Sequence, residues 1–398
     1  MASVGLREWL AAGRAIAEGN LIRYGDKAHF VEQFESRLAS YIGTKHVLTV
    51  NSGTNALICS LAAAGIGPGD EVLVPAYTWL ATPAAVVSVG AVPILVDIDD
   101  TLTMDPIDLE RKISPFTKAI IPVHMANLPC SMDKIIAIAR KHRLLVIEDA
   151  CQAVGVRYKN RFCGTLGEIG AFSFNKHKNM NIGEGGAVLT SDDNLFARAL
   201  NFHDLGLFAR NLSGISCAAP FIGMNMKATE MDGAMLNVQL AKLAPMMARL
   251  RRRFDMMESI LARSTRFRLV PHNDRPNAVS LCVTFAHESE AIAFARQRGV
   301  VRLLDNSKHV YTNWKAILDK RTFNPKMSPW EWAQRPIEYS LDMCAKTLNI
   351  LGRSCRISLG EQYPLFVMNR LAKRLVICYK PPSQASGFLA GGQIRTST

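Results

Sequence analysis

Between His46 and Thr190 short apolar runs alternate with amphipathic stretches. HVLTV (46–50), EVLVP (71–75) and AVPILVDI (91–98) read as strands. So do KAIIPVHM (118–125), LLVIEDA (144–150), AFSF (171–174) and GAVLTS (186–191). Between the first of them lie helical segments: SGTNALICSLAAAG (52–65), opened by Ser52 and Gly53; TPAAVVSVG; DPIDLERKI (105–113), with Asp105 as cap and Pro106 at its first position; and SMDKIIAIARKHR (131–143). Unbroken apolar strands separated by helices are the signature of a mostly parallel sheet covered on both faces, so the pattern predicts an α/β fold. In such sheets ligands bind beyond the carboxyl ends of strands. The residues just after each strand are therefore where chemistry is expected.

The flanks divide the 398 residues further. Residues 1–28 read as an N-terminal arm and 29–250 as the large domain, which opens on the amphipathic helix HFVEQFESRLASYIG (29–43). A long helix over 236–262 leads into a smaller C-terminal domain, 251–385, and the polar, glycine-rich 386–398 reads as a disordered tail. The N-terminus lacks the long apolar core of a signal peptide. The most membrane-like run, Trp79 to Val96, is broken by Pro83, Gly90 and Pro93. Nine scattered cysteines without a CxxC pair argue for a reducing, cytoplasmic setting and against a zinc or disulfide framework.

Charge is unevenly placed. The net charge is +13, and residues 241–398 hold 26 lysines and arginines against 11 acidic residues. Nucleic-acid binding is one reading of that excess. The Arg-rich ARLRRRF (248–254) fits equally a solvated helix face or a basic rim for phosphorylated substrates, and no nucleic-acid motif accompanies it.

Four features fall at strand ends. NSGTNAL (51–57) joins a strand to a helix start, where open N–H groups and the positive helix end favour an anion, or where Ser52 merely caps. VIEDACQAVG (146–155) places Glu148 and Asp149 at the end of an apolar strand. An acid there either caps the next turn or faces the protonated ring nitrogen of pyridoxal 5'-phosphate (PLP), with Gln152 in reach of the ring hydroxyl. Trp79 in YTWLAT (77–82) is either core or a plate for a planar cofactor. AFSFNKHKNMNIGEGG (171–186) sets Lys176 and Lys178 after a buried strand, where partial desolvation suits a Schiff-base amine. Position alone does not choose between the two lysines.

Together these segments resemble the DegT/DnrJ/EryC1/StrS sugar aminotransferases, PLP enzymes of fold type I. The family pattern SGT-x-AL, P-x-x-T-(W/F)-x-(A/S)-T, EDA-x-Q-(A/S)-x-G, SF-x-x-x-KN and GEGG reads here SGTNAL (52–57), PAYTWLAT (75–82), EDACQAVG (148–155), SFNKHKN (173–179) and GEGG (183–186). Order and spacing match over roughly residues 25–245. The resemblance implies Lys178 as the lysine that carries the cofactor, with Lys176 a bystander. It implies Asp149 on the pyridine nitrogen, Gln152 on the ring hydroxyl, Trp79 stacked on the ring, and Gly53, Thr54 and Ser173 on the phosphate. Asn225, in GMNMKATEMD (223–232), would reach the phosphate of a neighbouring subunit's cofactor, which makes a homodimer with shared sites the expected assembly. Two positions depart from the pattern: Lys227 replaces an arginine and Asn127 a common glycine.

The activity so implied transfers an amino group from L-glutamate or L-glutamine to a keto-sugar, nucleotide-linked in most of the family, or to a keto-cyclitol. A branch with histidine at the lysine position performs PLP-dependent dehydration of sugars; here His177 is one place off and Lys178 is present. A non-enzymatic regulator using the basic C-terminal part is the remaining alternative. It would need neither the lysine nor the acid nor the phosphate turn.

Overall fold

The computed structural model describes residues 4–19, 21–25, 29–206, 220–360 and 362–377. The expected tail, 386–398, lies outside the described residues, as does part of the arm. The strands in chain order are β1 (His46–Val50), β2 (Glu71–Pro75), β3 (Val92–Val96), β4 (Thr117–Ile120), β5 (Leu145–Asp149), a short hairpin of β6 (Arg157–Tyr158) and β7 (Arg161–Phe162), β8 (Ile169–Ser173) and β9 (Gly186–Thr190). All but the hairpin form one seven-stranded sheet, ordered β1-β9-β8-β5-β4-β2-β3.

The pairs from β8 through β5, β4 and β2 to β3 are parallel. β9 runs antiparallel to both β8 and β1. The reversal has a plain cause: residues 174–185 contain no helix, so the chain returns from β8 beside itself instead of crossing over. That return leaves the segment with Lys178 at the carboxyl end of β8.

The helices up to residue 261 are α1 (Leu6–Ala17), α2 (Phe30–Ile42), α3 (Gly53–Ala63), α4 (Ala81–Ser88), α5 (Pro106–Arg111), α6 (Met132–His142), α7 (Asp193–His203) and α8 (Glu230–Leu261). Alternation along the strands sorts them into two layers. Val47, Leu73, Val146 and Phe172 pack with Phe34 and Leu38 of α2, Ile135 of α6 and Leu243 of α8. Leu48, Val72, Val74, Ile147 and Ala171 pack with Leu57 of α3, Val86 of α4 and Leu200 of α7. Period-two alternation thus feeds both faces, each sealed by apolar helix stripes.

Helix starts follow their caps. Ser52 Oγ accepts from Asn55 N (3.1 Å), and Asp105 accepts from Ile107 N (2.9 Å) with Pro106 next in line. The long helix begins six residues before the position its apolar residues suggest. Thr229 Oγ1 accepts from Asp232 N, and the Asp232 carboxylate accepts from Thr229 N (2.8 Å), a reciprocal cap that fixes the start at Glu230.

A second, antiparallel sheet holds β10 (Arg268–Leu269), β11 (Leu281–Thr284), β12 (Val300–Arg302) and β13 (Ser354–Ile357), ordered β10-β11-β13-β12. The Arg-rich stretch of α8 helps to tie it down. Arg253 is buried and donates to the carbonyls of Leu359, Gly360 and Tyr363, while Arg251 donates to those of Arg275 and Ala278. These two guanidiniums are spent largely on backbone carbonyls, while Arg249 and Arg252 of the same stretch are exposed and form its solvated face. Among the described residues no helix is long and apolar enough to cross a membrane.

Neighbouring acids on β5 point opposite ways. Glu148 is fully buried and accepts from the N–H groups of Gly164 (2.8 Å), Leu166 and Gly167 (2.7 Å), and from His124 Nε2 (2.8 Å). His124 Nδ1 accepts from Cys130 N (3.1 Å), so the ring proton sits on Nε2 and faces the carboxylate. Glu148 therefore holds the turn that feeds β8. Replacing it with alanine strands three buried N–H groups, each worth about 1–3 kcal/mol. Glu148→Ala is expected to lower the thermal unfolding midpoint strongly, and Glu148→Gln, which keeps one acceptor, to lower it less. Calorimetry on the cofactor-free protein checks both.

Candidate active site

A cavity of about 560 Å³ opens at the carboxyl ends of β1, β2, β5 and β8. Val301, Leu303, Asn306 and His309, which follow one another along and beyond β12, and Arg356 of the second sheet complete its lining. Gly53, Thr54, Trp79, Asp149, Gln152, Ser173 and Lys178 all line it. These residues come from six places in the chain, and the strand ends bring them together.

The floor is a crossing of three backbones. A Cβ on Gly53 would stand 2.6 Å from Ser173 Cβ and 3.0 Å from Cys151 Sγ; one on Gly186 would stand 2.5 Å from the Ser52 carbonyl carbon. Only glycine lets the start of α3 lie this close to β8 and β9. The Gly53 and Thr54 N–H groups have no acceptor among the described residues and stand at the positive end of an 11-residue helix. Ser173 Oγ accepts from Asn175 N (3.3 Å), which leaves its own proton to give. Two open N–H groups, a hydroxyl donor and a helix terminus fit a phosphate group.

Across the cavity Asp149 turns its carboxylate inward. Thr82 Oγ1 donates to its Oδ2 (2.7 Å) and Cys151 N to its Oδ1 (3.1 Å). Since the Thr82 proton is used there, the Thr78 hydroxyl donates to Thr82 (2.8 Å), completing a buried chain of donors behind the carboxylate. Burial and the Asp149 charge push the Cys151 thiol well above its ordinary range, so that sulfur stays protonated beside the site. Gln152, also in the lining, accepts at Oε1 from Ala126 N (3.2 Å) and donates from Nε2 to Met125 Sδ (3.2 Å).

The return loop separates the two lysines. Lys176 is exposed at the turn and outside the cavity lining, whereas Lys178 is half-buried within it. Its neighbour anchors it: Asn179 Nδ2 donates to Asn127 Oδ1 and to Val154 O, both at 2.8 Å. Lys178 Nζ forms no hydrogen bond or ion pair among the described residues. Asn127 adopts φ 66°, the left-handed region that suits glycine and that asparagine tolerates better than most residues. The departure from a family glycine thus keeps the backbone shape and adds an acceptor for Asn179.

Trp79 is 41% exposed at the rim, its ring 5.2 Å from that of His309. Asn225 is exposed and lies outside the cavity of its own chain, bridged to Asp204. Lys227 forms an ion pair with that aspartate. Several lining residues carried no legible signal in the sequence. Asn306, His309 and Arg356 come from the part where strand and helix patterns fade, and Thr82, buried behind the lining where it holds Asp149, stood in a quoted motif without a role.

An anion cradle, an inward carboxylate and an unpaired lysine around one cavity define a PLP-binding protein of the aminotransferase-like fold. The chain belongs to the DegT/DnrJ/EryC1/StrS aminotransferase family, whose model matches residues 7–314. It is 41% identical over 235 residues to the GDP-perosamine synthase of Caulobacter vibrioides, covering 59% of this chain and 62% of that protein. It is 45% identical over 184 residues to the spore coat polysaccharide biosynthesis protein SpsC of Bacillus subtilis, covering 46% and 47%. The chain thus spans about half to three fifths of the length of these curated relatives. The crystal structure of 3-amino-5-hydroxybenzoic acid synthase superposes with a TM-score of 0.76 at 26% identity, over 94% of this chain and 97% of that one.

The cradle is testable apart from turnover. Gly53→Ala is expected to weaken PLP binding at least about tenfold, because the new Cβ must displace Ser173. Thr82→Val, which removes one donor from Asp149, is expected to weaken it by about three- to tenfold. Absorbance titration of the cofactor-free proteins reads both.

Proposed function

We propose that the protein is a PLP-dependent aminotransferase that moves an amino group from L-glutamate or L-glutamine to a ketone on a sugar or cyclitol ring. The observation that carries this reading is the pairing of Lys178 and Asp149 across one cavity whose floor fits a phosphate. PLP, when bound, supplies a carbonyl carbon that exchanges amines and a ring that draws electrons from it. Asp149 holds the proton on the ring nitrogen. Lys178 Nζ holds the cofactor between turnovers, then takes the proton from the donor's α carbon. In the second half-reaction it returns a proton to the acceptor carbon. Ser173 and the Gly53 and Thr54 N–H groups bear the phosphate, and Trp79 shields the ring from water.

A nucleotide-linked keto-hexose is the favoured acceptor. The relative named GDP-perosamine synthase supports it, as does Arg356, which lines the same cavity and has no side-chain partner among the described residues. The dehydratase reading is disfavoured because a lysine, not a histidine, occupies the position before Asn179. We further propose a homodimer in which Asn225 completes the partner's site. Its neighbours Ile222 and Met224 are 88% and 54% exposed, apolar surface that suits burial against a second copy.

Two measurements test this. L-glutamate or L-glutamine is expected to convert the visible band of lysine-bound PLP to that of the amine form in the native protein and in Lys176→Ala, but not in Lys178→Ala. A band that neither donor changes would reject the reading. For the assembly, mixing inactive Lys178→Ala with inactive Asn225→Ala is expected to restore activity, since a hybrid dimer contains one intact site. No recovery after subunit exchange would reject shared sites.

A further inference from the structure

The residues on either side of Lys178 are unlike. Lys176 and His177 before it are exposed, whereas Asn179 and Met180 after it are buried. The Lys178 N–H donates to Asn175 O (2.9 Å), a contact within the return loop itself. The side-chain tie nearest the lysine is that of Asn179, whose Nδ2 reaches Val154 O and Asn127 Oδ1. Val154 O is a main-chain acceptor that any residue there would supply. Asn127 Oδ1 is not: it exists only because an asparagine stands where the family pattern has a common glycine.

The turn that carries Asn127 is itself unusual. Ala126 and Asn127 have φ of 54° and 66°, two consecutive left-handed residues with no glycine between them. Such a pair persists only where its surroundings hold it. Met125 and Leu128 on either side are buried, and Leu128 N closes the turn on Met125 O (2.9 Å). Ala126 N donates to Gln152, and the Asn127 carboxamide accepts from Asn179. The turn therefore stands between Gln152, just beyond β5, and the residue that follows Lys178, and all but Leu128 and Asn179's backbone neighbours face one cavity: Met125, Ala126, Asn127, Gln152, Lys178 and Asn179 line it together. Glycine takes a positive φ more readily than asparagine does, so the main chain gains nothing from this carboxamide. What it adds is the bond to Asn179.

We propose that Asn127 is a positioning residue for Lys178: through Asn179 it sets the place from which the lysine amine reaches the carbonyl carbon of PLP. This rests on the aminotransferase reading. In the capture step the Lys178 amine condenses with the PLP aldehyde, a carbon–nitrogen bond forms and water leaves. A long, flexible side chain reaches that carbon at a rate and with an affinity that depend on how narrowly its own main chain is held. The Asn127–Asn179 bond holds the main chain one residue from the lysine. It touches neither the phosphate cradle at Gly53 and Thr54 nor the donors on Asp149, so it acts on the covalent part of cofactor binding and leaves the rest alone.

The test titrates the cofactor-free protein with PLP, by absorbance, and with pyridoxine 5'-phosphate, by calorimetry. The second probe has the same ring and phosphate but an alcohol in place of the aldehyde, so it forms no bond to lysine. Asn127→Gly, which suits the backbone and removes only the carboxamide, is expected to weaken PLP about tenfold and to leave pyridoxine 5'-phosphate within about twofold of the native protein. Asn179→Ala is expected to show the same selectivity, and the double variant to lose no more than the worse single one, since both changes remove one shared bond. Equal loss of the two probes marks a merely structural effect and overturns the proposal. So does native-like PLP binding by Asn127→Gly, or losses that add in the double variant. If in those cases amino donors still convert the visible band of the native protein, the aminotransferase reading survives without it. Native protein that forms no band of lysine-bound PLP rejects that reading and this proposal with it.

Discussion

Everything at this site depends on how closely three backbones approach where β1 ends, β8 ends and β9 begins. The start of α3 lies against Ser173 and under Gly186 with no room for a side chain on either glycine. That contact places a helix terminus beside a serine hydroxyl and sets the depth of the cavity. It also fixes the return loop, since the loop leaves from Ser173 and re-enters at Gly186. The anion cradle and the loop that carries Lys178 are in this sense one construction: a change that lifted α3 off the sheet would move both.

A second division of labour occurs within β5. Glu148 and Asp149 are adjacent, so the strand's alternation sends them to opposite faces. One is surrounded by buried N–H groups and shapes the protein. The other is held by a hydroxyl and an N–H group and faces the cavity. Similar carboxylates thus take unlike places through their neighbours, one locked into the turn that feeds β8 and the other turned to the cavity.

Most of this was legible in the sequence because it is local. Apolar runs, caps and glycine turns each act over a few residues, so the parallel part of the sheet and the strand-end motifs could be read directly. The choice of Lys178 over Lys176 came through resemblance, as position alone left it open. The antiparallel return of β9 was not foreseen, because an apolar run carries no direction and only the missing helix in 174–185 reveals it. The start of α8 hid in a reciprocal cap ahead of its apolar stripe. Asn306, His309 and Arg356 were out of reach for another reason. They reach the cavity through long-range pairings, Arg356 on a short strand of the second sheet and His309 beside the Tyr77–Val310 bridge, and such contacts leave no periodic trace.

The Arg356 part of the lining has a practical side. The residues of this chain's cavity that fit the cofactor lie between positions 53 and 178, while this second part is drawn from 301–309 and 356. The two sets sit on different sheets and share no segment of chain. A combinatorial library confined to the second stretch would therefore reshape that part of the cavity while every member still carried the first set unaltered.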